Sequence, residues 1–337
     1  MTIYILNYLY MQVGLIDGYK SLIWTKRYNA LGDCEIYVPA STTNRAMLKL
    51  GNYIVRTDDD MVCRIEYIEL DTDEENGDFL IVKGYDCKKI LNQRIIYYQV
   101  NFSGTVEDYI RKLIDGNIIN AYDRSIEKFQ LGTRQGYTET IEDQVQLENL
   151  GDKVQELCQT YGYGSKVTLD IDQGTFTFDL YKGSERSVVF SSEFDNIISS
   201  KYVMDKTNYH NSAIIGGEGE GSSRKRQAYG VHEGLERYEM YVDAKETSSN
   251  DGTITYYSEL MESRAKEELA KYDIVTTFEG EIEPNYSYKY NVDYYLGDIV
   301  TIKNKYGIEI NARITEVIES WDDTGYSIIP TLQYKEV

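Results

Sequence analysis

Residues able to do chemistry are few in this chain, and they are scattered. His210 and His232 are its two histidines, 22 positions apart. A two-histidine metal site needs them on one face with a carboxylate, and no H-E-x-x-H or similar spacing exists. The four cysteines, Cys34, Cys63, Cys87 and Cys158, form no C-x-x-C pair. Neither a zinc site nor a disulfide framework is expected, and each thiol reads as a small buried apolar group. No G-x-S-x-G elbow marks a nucleophilic serine. The 56 acidic residues hold no pair that spacing singles out for glycoside hydrolysis. No catalytic, cofactor or metal residue is therefore assigned.

Two segments invite a ligand and fail on spacing. The acidic run from Asp71 to Asp78 resembles a calcium loop, but its sixth position is Asn76 rather than Gly and its twelfth is Val82 rather than Glu. Asn76-Gly77 between apolar strands predicts a type I′ hairpin instead. Residues 216 to 226, Gly-Gly-Glu-Gly-Glu-Gly-Ser-Ser-Arg-Lys-Arg, follow a strand-like Ala213-Ile-Ile. A phosphate cradle would need Gly-Lys-Ser/Thr and no glutamates, so the segment reads as an exposed hairpin tip.

The elements around these residues are mostly strands. Apolar residues from Ile3, then Ile36 and Val38, Tyr53 and Val55, and Phe79 and Ile81 recur in period two. Next alternate Ile65 with Tyr67, or Ile68 with Leu70 after a shift. A short helix is expected over Thr43 to Leu50. Thr105-Val-Glu-Asp108 is a capping-box-like start, with Val106, Ile110, Leu113 and Ile114 on one face behind it. Residues 116 to 144 read as polar loop. A helix from Asn149 carries Leu150, Val154, Leu157, Cys158 and Tyr161 to Gly162. A hairpin over Val167 to Ile171 and Phe176 to Leu180 follows, and another helix spans about 256–272.

Composition excludes some functions. The 337 residues suffice for two or three domains. No run reaches the roughly 18 apolar residues of a membrane span. The N-terminus shows neither a basic region nor a cleavage site, so a cytoplasmic folding site is expected. Thirty-five basic against 56 acidic residues give a net charge of −21. That balance opposes binding to a nucleic-acid backbone. The 33 tyrosines against 8 phenylalanines suit half-buried strands, and they are spread along the whole chain.

A repeat is the most informative feature. Leu50-Gly51-Asn52-Tyr-Ile-Val55 is followed by Arg64-Ile-Glu-Tyr-Ile-Glu69, then Asn76-Gly77, Phe79-Leu-Ile-Val82 and Tyr85. Near the end, Leu296-Gly297-Asp298-Ile-Val-Thr301 is followed by Arg313-Ile-Thr-Glu-Val-Ile-Glu319, then Thr324-Gly325, Tyr326-Ser-Ile-Ile-Pro330 and Tyr334. Both read as strand, turn, strand, hairpin, strand. Two related barrel or sandwich domains are implied, with the middle of the chain inserted or shared.

Four further stretches carry a family resemblance: Ser21 to Asp33 with Trp24, Tyr28 and Gly32; Tyr181 to Asn196 with Gly183, Arg186, Phe190, Ser191 and Asn196; Gly234 to Asp243 with Arg237 and Glu239; and Asp293 to Val300 with Gly297 and Asp298, followed by Arg313. With Gly51 from the repeat, these are the signature positions. In their order and spacing the chain resembles siphophage and prophage tail-hub proteins of the Gp37-like tail family. These correspond to the hub portion of tail-associated lysins and are related to myophage baseplate hubs. Cys34 departs from a position that is usually aromatic in that family.

The resemblance implies a mainly β chain with α/β insertions (α+β): two tail-tube-like antiparallel β-barrel domains plus smaller helix-and-hairpin domains. The barrels would cover residues 1–100 and, jointly, 186–233 and 285–337. A helix-plus-hairpin insertion would span 101–185 and an α/β segment 234–284. It also implies a homotrimer forming a pseudo-hexameric ring at the virion tail tip. Expected partners are a distal tail or tail tube protein, a tape-measure protein, a fibre or spike below, and DNA passing an acidic lumen without specific binding. Longer relatives carry lytic or receptor-binding extensions, whereas this chain stops at Val337 after the second barrel, so no lytic activity is carried over and no cofactor is expected. A peptidoglycan-degrading tail enzyme and a carbohydrate- or receptor-binding module are the alternatives.

Overall fold

A computed structural model of the chain describes residues 1–73, 77–245, 247, 254–282, 288–303, 306 and 309–334. The first part runs β1 (Ile3–Leu6), β2 (Gln12–Ile16), β3 (Ser21–Arg27), β4 (Asp33–Pro39), α1 (Thr42–Met47), β5 (Tyr53–Arg56), β6 (Val62–Asp73) and β7 (Gly77–Asp86). Next come β8 (Val100–Thr105), α2 (Val106–Ile114), β9 (Phe129–Leu131), β10 (Thr140–Val145), α3 (Leu150–Tyr161), β11 (Gly164–Asp170) and β12 (Thr175–Tyr181). The last part runs β13 (Glu185–Ser191), β14 (Ile197–Asp205), β15 (Ser212–Gly216), β16 (Arg226–Tyr229), β17 (Glu239–Asp243), α4 (Ile254–Leu269), β18 (Val275–Ile282), β19 (Ile299–Lys303), β20 (Glu309–Asp322) and β21 (Gly325–Tyr334).

Two separate closed barrels are not what these strands build. They join in one open 13-stranded sheet of order β14-β18-β21-β20-β3-β4-β7-β6-β5-β1-β2, with β19 beside β20 and β13 beside β19. The cause is the length of β20. Its first part pairs with β19 from Glu309 to Arg313, and its second part pairs with β3 from Glu316 to Trp321. One strand thus serves two neighbours along the same edge, and the repeats fuse where each was expected to close on itself.

The repeat itself is present in the backbone. β3-β4-β7-β6-β5 and β14-β18-β21-β20-β19 share chain order and antiparallel pairing throughout. Each long strand breaks register once, between Ile65 and Tyr67 in β6 and between Ile314 and Glu316 in β20. An irregularity of this kind inserts one residue and bends the strand, and in β6 it explains the phase shift of the sequence pattern. The turns before β5 and β19 also match. Gly51 N–H donates to Ile65 O at 2.9 Å and Gly297 N–H to Ile314 O at 2.8 Å, while Ile65 and Ile314 donate back to Asn52 and Asp298. Gly51 and Gly297 hold φ +83° and +93°, a region that favours glycine. The repeats diverge at their flanks, where β1 is antiparallel to β5 but β13 is parallel to β19. The β6–β7 hairpin forms with Gly77 at φ +86°, while Asn76 lies outside the described residues.

The insert packs on one face of the first repeat. Strand β5 is buried at all four positions because Ile54 faces one core while Tyr53 and Val55 face another. In the second core lie the stripes of α2 and α3, including Ile110, Leu113, Leu150 and Leu157. Helix α2 starts where Thr105 Oγ1 accepts from Asp108 N–H, and α3 where Asn149 accepts from Gly151 and Asp152. Caps of this type contribute about 1 kcal/mol each. Gly162 ends α3 in the left-handed conformation. The expected loop over 116–144 is more structured than its polarity suggests. It holds a π-helical turn (Asp115–Ile119), a 3-10 turn (Tyr122–Arg124), β9 and β10. Its strands are borrowed, since β9 adds to β12 and β10 to β8. Near the end, α4 passes into a 3-10 turn at Ala270–Tyr272 and packs Met261 and Ala265 on the small β15–β17 sheet.

Candidate functional site

The junction between the repeats is where the singled-out residues gather. Tyr28, just past β3, is fully buried and its N–H donates to Thr315 O at 2.9 Å, inside the bulge of β20. Its hydroxyl donates to Gly162 O at 3.0 Å, and Arg313 stacks on its ring at 5.2 Å. A Cβ at Gly297 or Gly164 would overlap the Tyr28 ring, and one at Gly183 would overlap the Gly297 carbonyl. Three parts of the chain therefore meet there with no room for a methyl group. Arg313 Nη1 donates to Gly297 O at 2.7 Å. Asp298 is buried and accepts from Arg186 Nε at 2.7 Å, Ser184 N–H at 2.8 Å and Tyr295 N–H at 3.0 Å. Burial raises the Tyr28 phenol pKa, with Arg313 opposing, so this hydroxyl is a donor and no base.

Beside it, Arg56 from β5 lies between the two tryptophans of the protein. Its guanidinium is 5.3 Å from the Trp24 ring and 4.4 Å from Trp321. Its Nη1 reaches buried Glu319 at 3.1 Å, which also accepts from Tyr326 at 3.0 Å. Since Trp24 sits on β3 and Trp321 and Glu319 on β20, Arg56 clamps the seam. On the seam's other face Arg27 Nε donates to Glu316 at 2.5 Å. Gly32 N–H donates to Asp86 at 2.9 Å, and Lys88, ion-paired with Asp86 at 3.4 Å, caps the Arg27 and Ala30 carbonyls.

The remaining positions lie elsewhere. Gly51 is the counterpart of Gly297 in the first repeat. Phe190 fills the second repeat's core against Tyr294, while Asn196 holds the turn after β13 by bonding Ser191 N–H and Val189 O. Arg237 and Glu239 form an ion pair at 2.5 Å near the surface.

A cleft of about 530 Å³ opens beside the junction. Its charges neutralise one another: Lys26 meets Asp59 at 2.9 Å and Asp60 at 3.3 Å, and Lys166 meets Asp60 at 3.0 Å. Among the described residues no cluster of His, Cys, Asp and Glu suits a metal ion. His210 packs edge-on against Tyr272, and His232 lies in the loop whose carbonyl receives Arg237. Residues 217–225 link β15 to β16. Arg224 folds back on the Gly216 and Gly217 carbonyls, which occupies the basic flank locally. All four cysteines are buried and free. The arrangement holds chain segments together.

A model of the family described as Siphovirus ReqiPepy6 Gp37-like protein matches residues 2–332. The chain belongs to this family. No curated protein matches it. Its fold is similar to that of a tail protein from Neisseria meningitidis MC58, with TM-score 0.61 and 14% identity over 99% of this chain and 96% of that one. A 43 kDa tail protein of prophage MuSo2 from Shewanella oneidensis gives TM-score 0.60 and 12% identity over 98% of both chains. Prophage tail protein gp18 from Listeria monocytogenes EGD-e gives 0.55 and 13% over 99% and 95%.

Some residues that organise this fold escaped the sequence reading. Lys153 of α3 lies fully buried between Asp143 and Glu267, each at 2.8 Å, and Tyr109 donates to Asp143 at 2.8 Å. Burial first, and then nearby Asp143, raise the Glu267 pKa to about 8. A signal existed, because Lys153 falls on the apolar stripe between Leu150 and Leu157. Arg56 carried no such signal, since its partners across the seam, Glu319 and Trp321, are more than 260 positions away.

Proposed function

We propose that the protein is a tail or baseplate hub, which forms a trimeric, pseudo-hexameric ring that closes the distal end of the tail tube and connects it to a fibre or spike. One observation carries this reading. The chain holds two copies of the same five-strand framework, with matching bulges and matching glycine turns, fused side by side at β20–β3. Two equivalent units per chain let three chains present six equivalent units to a sixfold tube. Each unit keeps a tube-like role, although the sheet of one chain is open. The domain limits expected from the sequence belong to this proposal, with β18 joining the second unit and β15 and β16 the small sheet beside α4.

The net charge of −21 supports a lumen that DNA can pass without sticking, because like charges repel the phosphate backbone. A distal tail or tube protein above, a tape-measure protein within and a fibre or spike below are the partners this position requires. The chemistry of the junction supports a non-enzymatic role. Antibody raised against the chain and applied to intact virions tests the position. Label confined to the distal end of the tail is expected, whereas label along the tube or on the head would overturn the proposal.

A further inference from the structure

Strands β15–β17 and helix α4 make a unit with an apolar core of their own. Among the described residues, no side chain belongs both to that core and to the core of the insert. Two short connections tie the unit to the large sheet. One follows Asp205 at the end of β14 and the other precedes Val275 at the start of β18, and these two residues face each other on one rung. The connections run side by side, with His210 N–H donating to Tyr272 O at 2.9 Å. Two adjacent crossings at one rung can absorb a rotation, as a hinge does.

Beside the hinge, α4 meets α3 and β10 of the insert. The stripe of α4 formed by Leu260, Arg264, Glu267 and Lys271 is charged at three of its four positions. Glu267 Oε2 and Asp143 of β10 each reach Lys153 Nζ of α3 at 2.8 Å. Arg264 lies 3.6 Å from Glu148, 3.6 Å from Glu267 and 3.4 Å from Glu268, and Lys271 lies 3.0 Å from Glu156. Asp143, Glu148, Glu156, Glu267 and Glu268 thus share Lys153, Arg264 and Lys271, and acids outnumber bases. Two phenols also face the cluster, Tyr109 of α2 and Tyr161 of α3, the latter under Lys266. Lys153 and Glu267 are buried, and Glu267 Oε1 has no hydrogen-bond partner. Apolar faces hold together at any pH. Buried ions do not, because the cost of drying the charges offsets most of their attraction. Such a contact lies near balance, and one charge decides it.

We propose that β15–β17 and α4 form a hinged arm, latched to the insert by the Lys153 cluster while Glu267 holds a proton and released when Glu267 ionises. Oε1, the oxygen without a partner, is the one free to carry that proton. Burial, and next Asp143, raise the Glu267 pKa to about 8, with Lys153 opposing. Release brings Glu267 into water and returns it towards its ordinary 4.5. The closed arm therefore holds a proton that the open arm gives up. Rising pH favours the open arm from about 4.5 to about 8, and no further above that. The latch acts within one chain and needs no ring.

Paired nitroxide labels on the full-length protein read the arm. All four native cysteines are buried, so the labels go to Gln159→Cys on α3 and Glu259→Cys on α4, both exposed positions. Double electron–electron resonance is expected to show one short distance at about pH 5.5 and a second, longer one as pH rises. The ratio of open to closed should grow by up to about tenfold per pH unit and level off above about pH 8, the behaviour of a single proton. Glu267→Gln in the labelled protein, with its fold checked by circular dichroism, should keep the short distance throughout. Glu156→Gln removes an acid that faces Glu267 and should end the rise at a lower pH. A distance that stays constant from about pH 5.5 to 8.5, or a rise of the same size in Glu267→Gln, overturns the proposal. If Glu267→Gln does not fold, Glu156→Gln carries the test, and an unshifted end point overturns it.

Discussion

Removing the Arg56 guanidinium would strand Glu319, whose carboxylate is buried in the seam beside Trp24 and Trp321. A buried charge left without its partner costs about 3–5 kcal/mol. Arg56→Ala is therefore expected to lower the urea midpoint of unfolding sharply, and Arg56→Lys to restore little, because an ammonium cannot stack between two indoles and bond a carboxylate in plane. An unchanged midpoint in Arg56→Ala would show that the clamp carries no weight. The Lys153 cluster gives a pH prediction. The Glu267 pKa rises from its ordinary value to about 8 in the folded chain, so the folded state holds a proton that the unfolded chain releases near 4.5. Stability attached to this group is present at low pH and falls as pH rises from about 4.5 towards 8. Glu267→Gln should raise the thermal midpoint at pH 8 and leave it nearly unchanged at pH 5. Equal shifts at both pH values would contradict this.

At the scale of elements, the glycine junction is the sensitive point. Backbone surrounds Gly183 on the Gly297 side, so a methyl group cannot be absorbed by a rotamer change. Gly183→Ala is expected to cost about 1–3 kcal/mol, the usual cost of overpacking, and to loosen β13 from β19. Hydrogen exchange should then accelerate in β13 and β19 and stay slow in α2 and α3. The helices were readable because their caps and stripes are local: Thr105, Asn149 and Gly162 do what their positions announce. The strands of the repeat were readable for the same reason, down to the phase shift that marks the bulge in β6. Residues 116–144 were not, because β9 and β10 are strands only by virtue of distant partners in β12 and β8. Sheet closure was also illegible. Nothing local in β20 says that its second part will pair with a strand near the other end of the chain.

For the whole molecule, the sequence exposed the repeat and the composition, while the structure supplied their relation, one shared sheet joined at β20–β3. Gly183, Gly297, Tyr28, Asp298 and Arg313 were singled out by type and order, and their convergence at one junction needed the fold. The acidic balance, spread over the whole sequence, bears on the assembly: the purified protein is expected to show no measurable retention of duplex DNA at physiological salt. Retention in a gel-shift titration would remove the repelling lumen. The ring is tested most directly by the mass of the full-length protein in solution, measured by light scattering over a concentration series. The account predicts a species of three chains of 39.0 kDa each at high concentration. A single-chain mass at every concentration would contradict it.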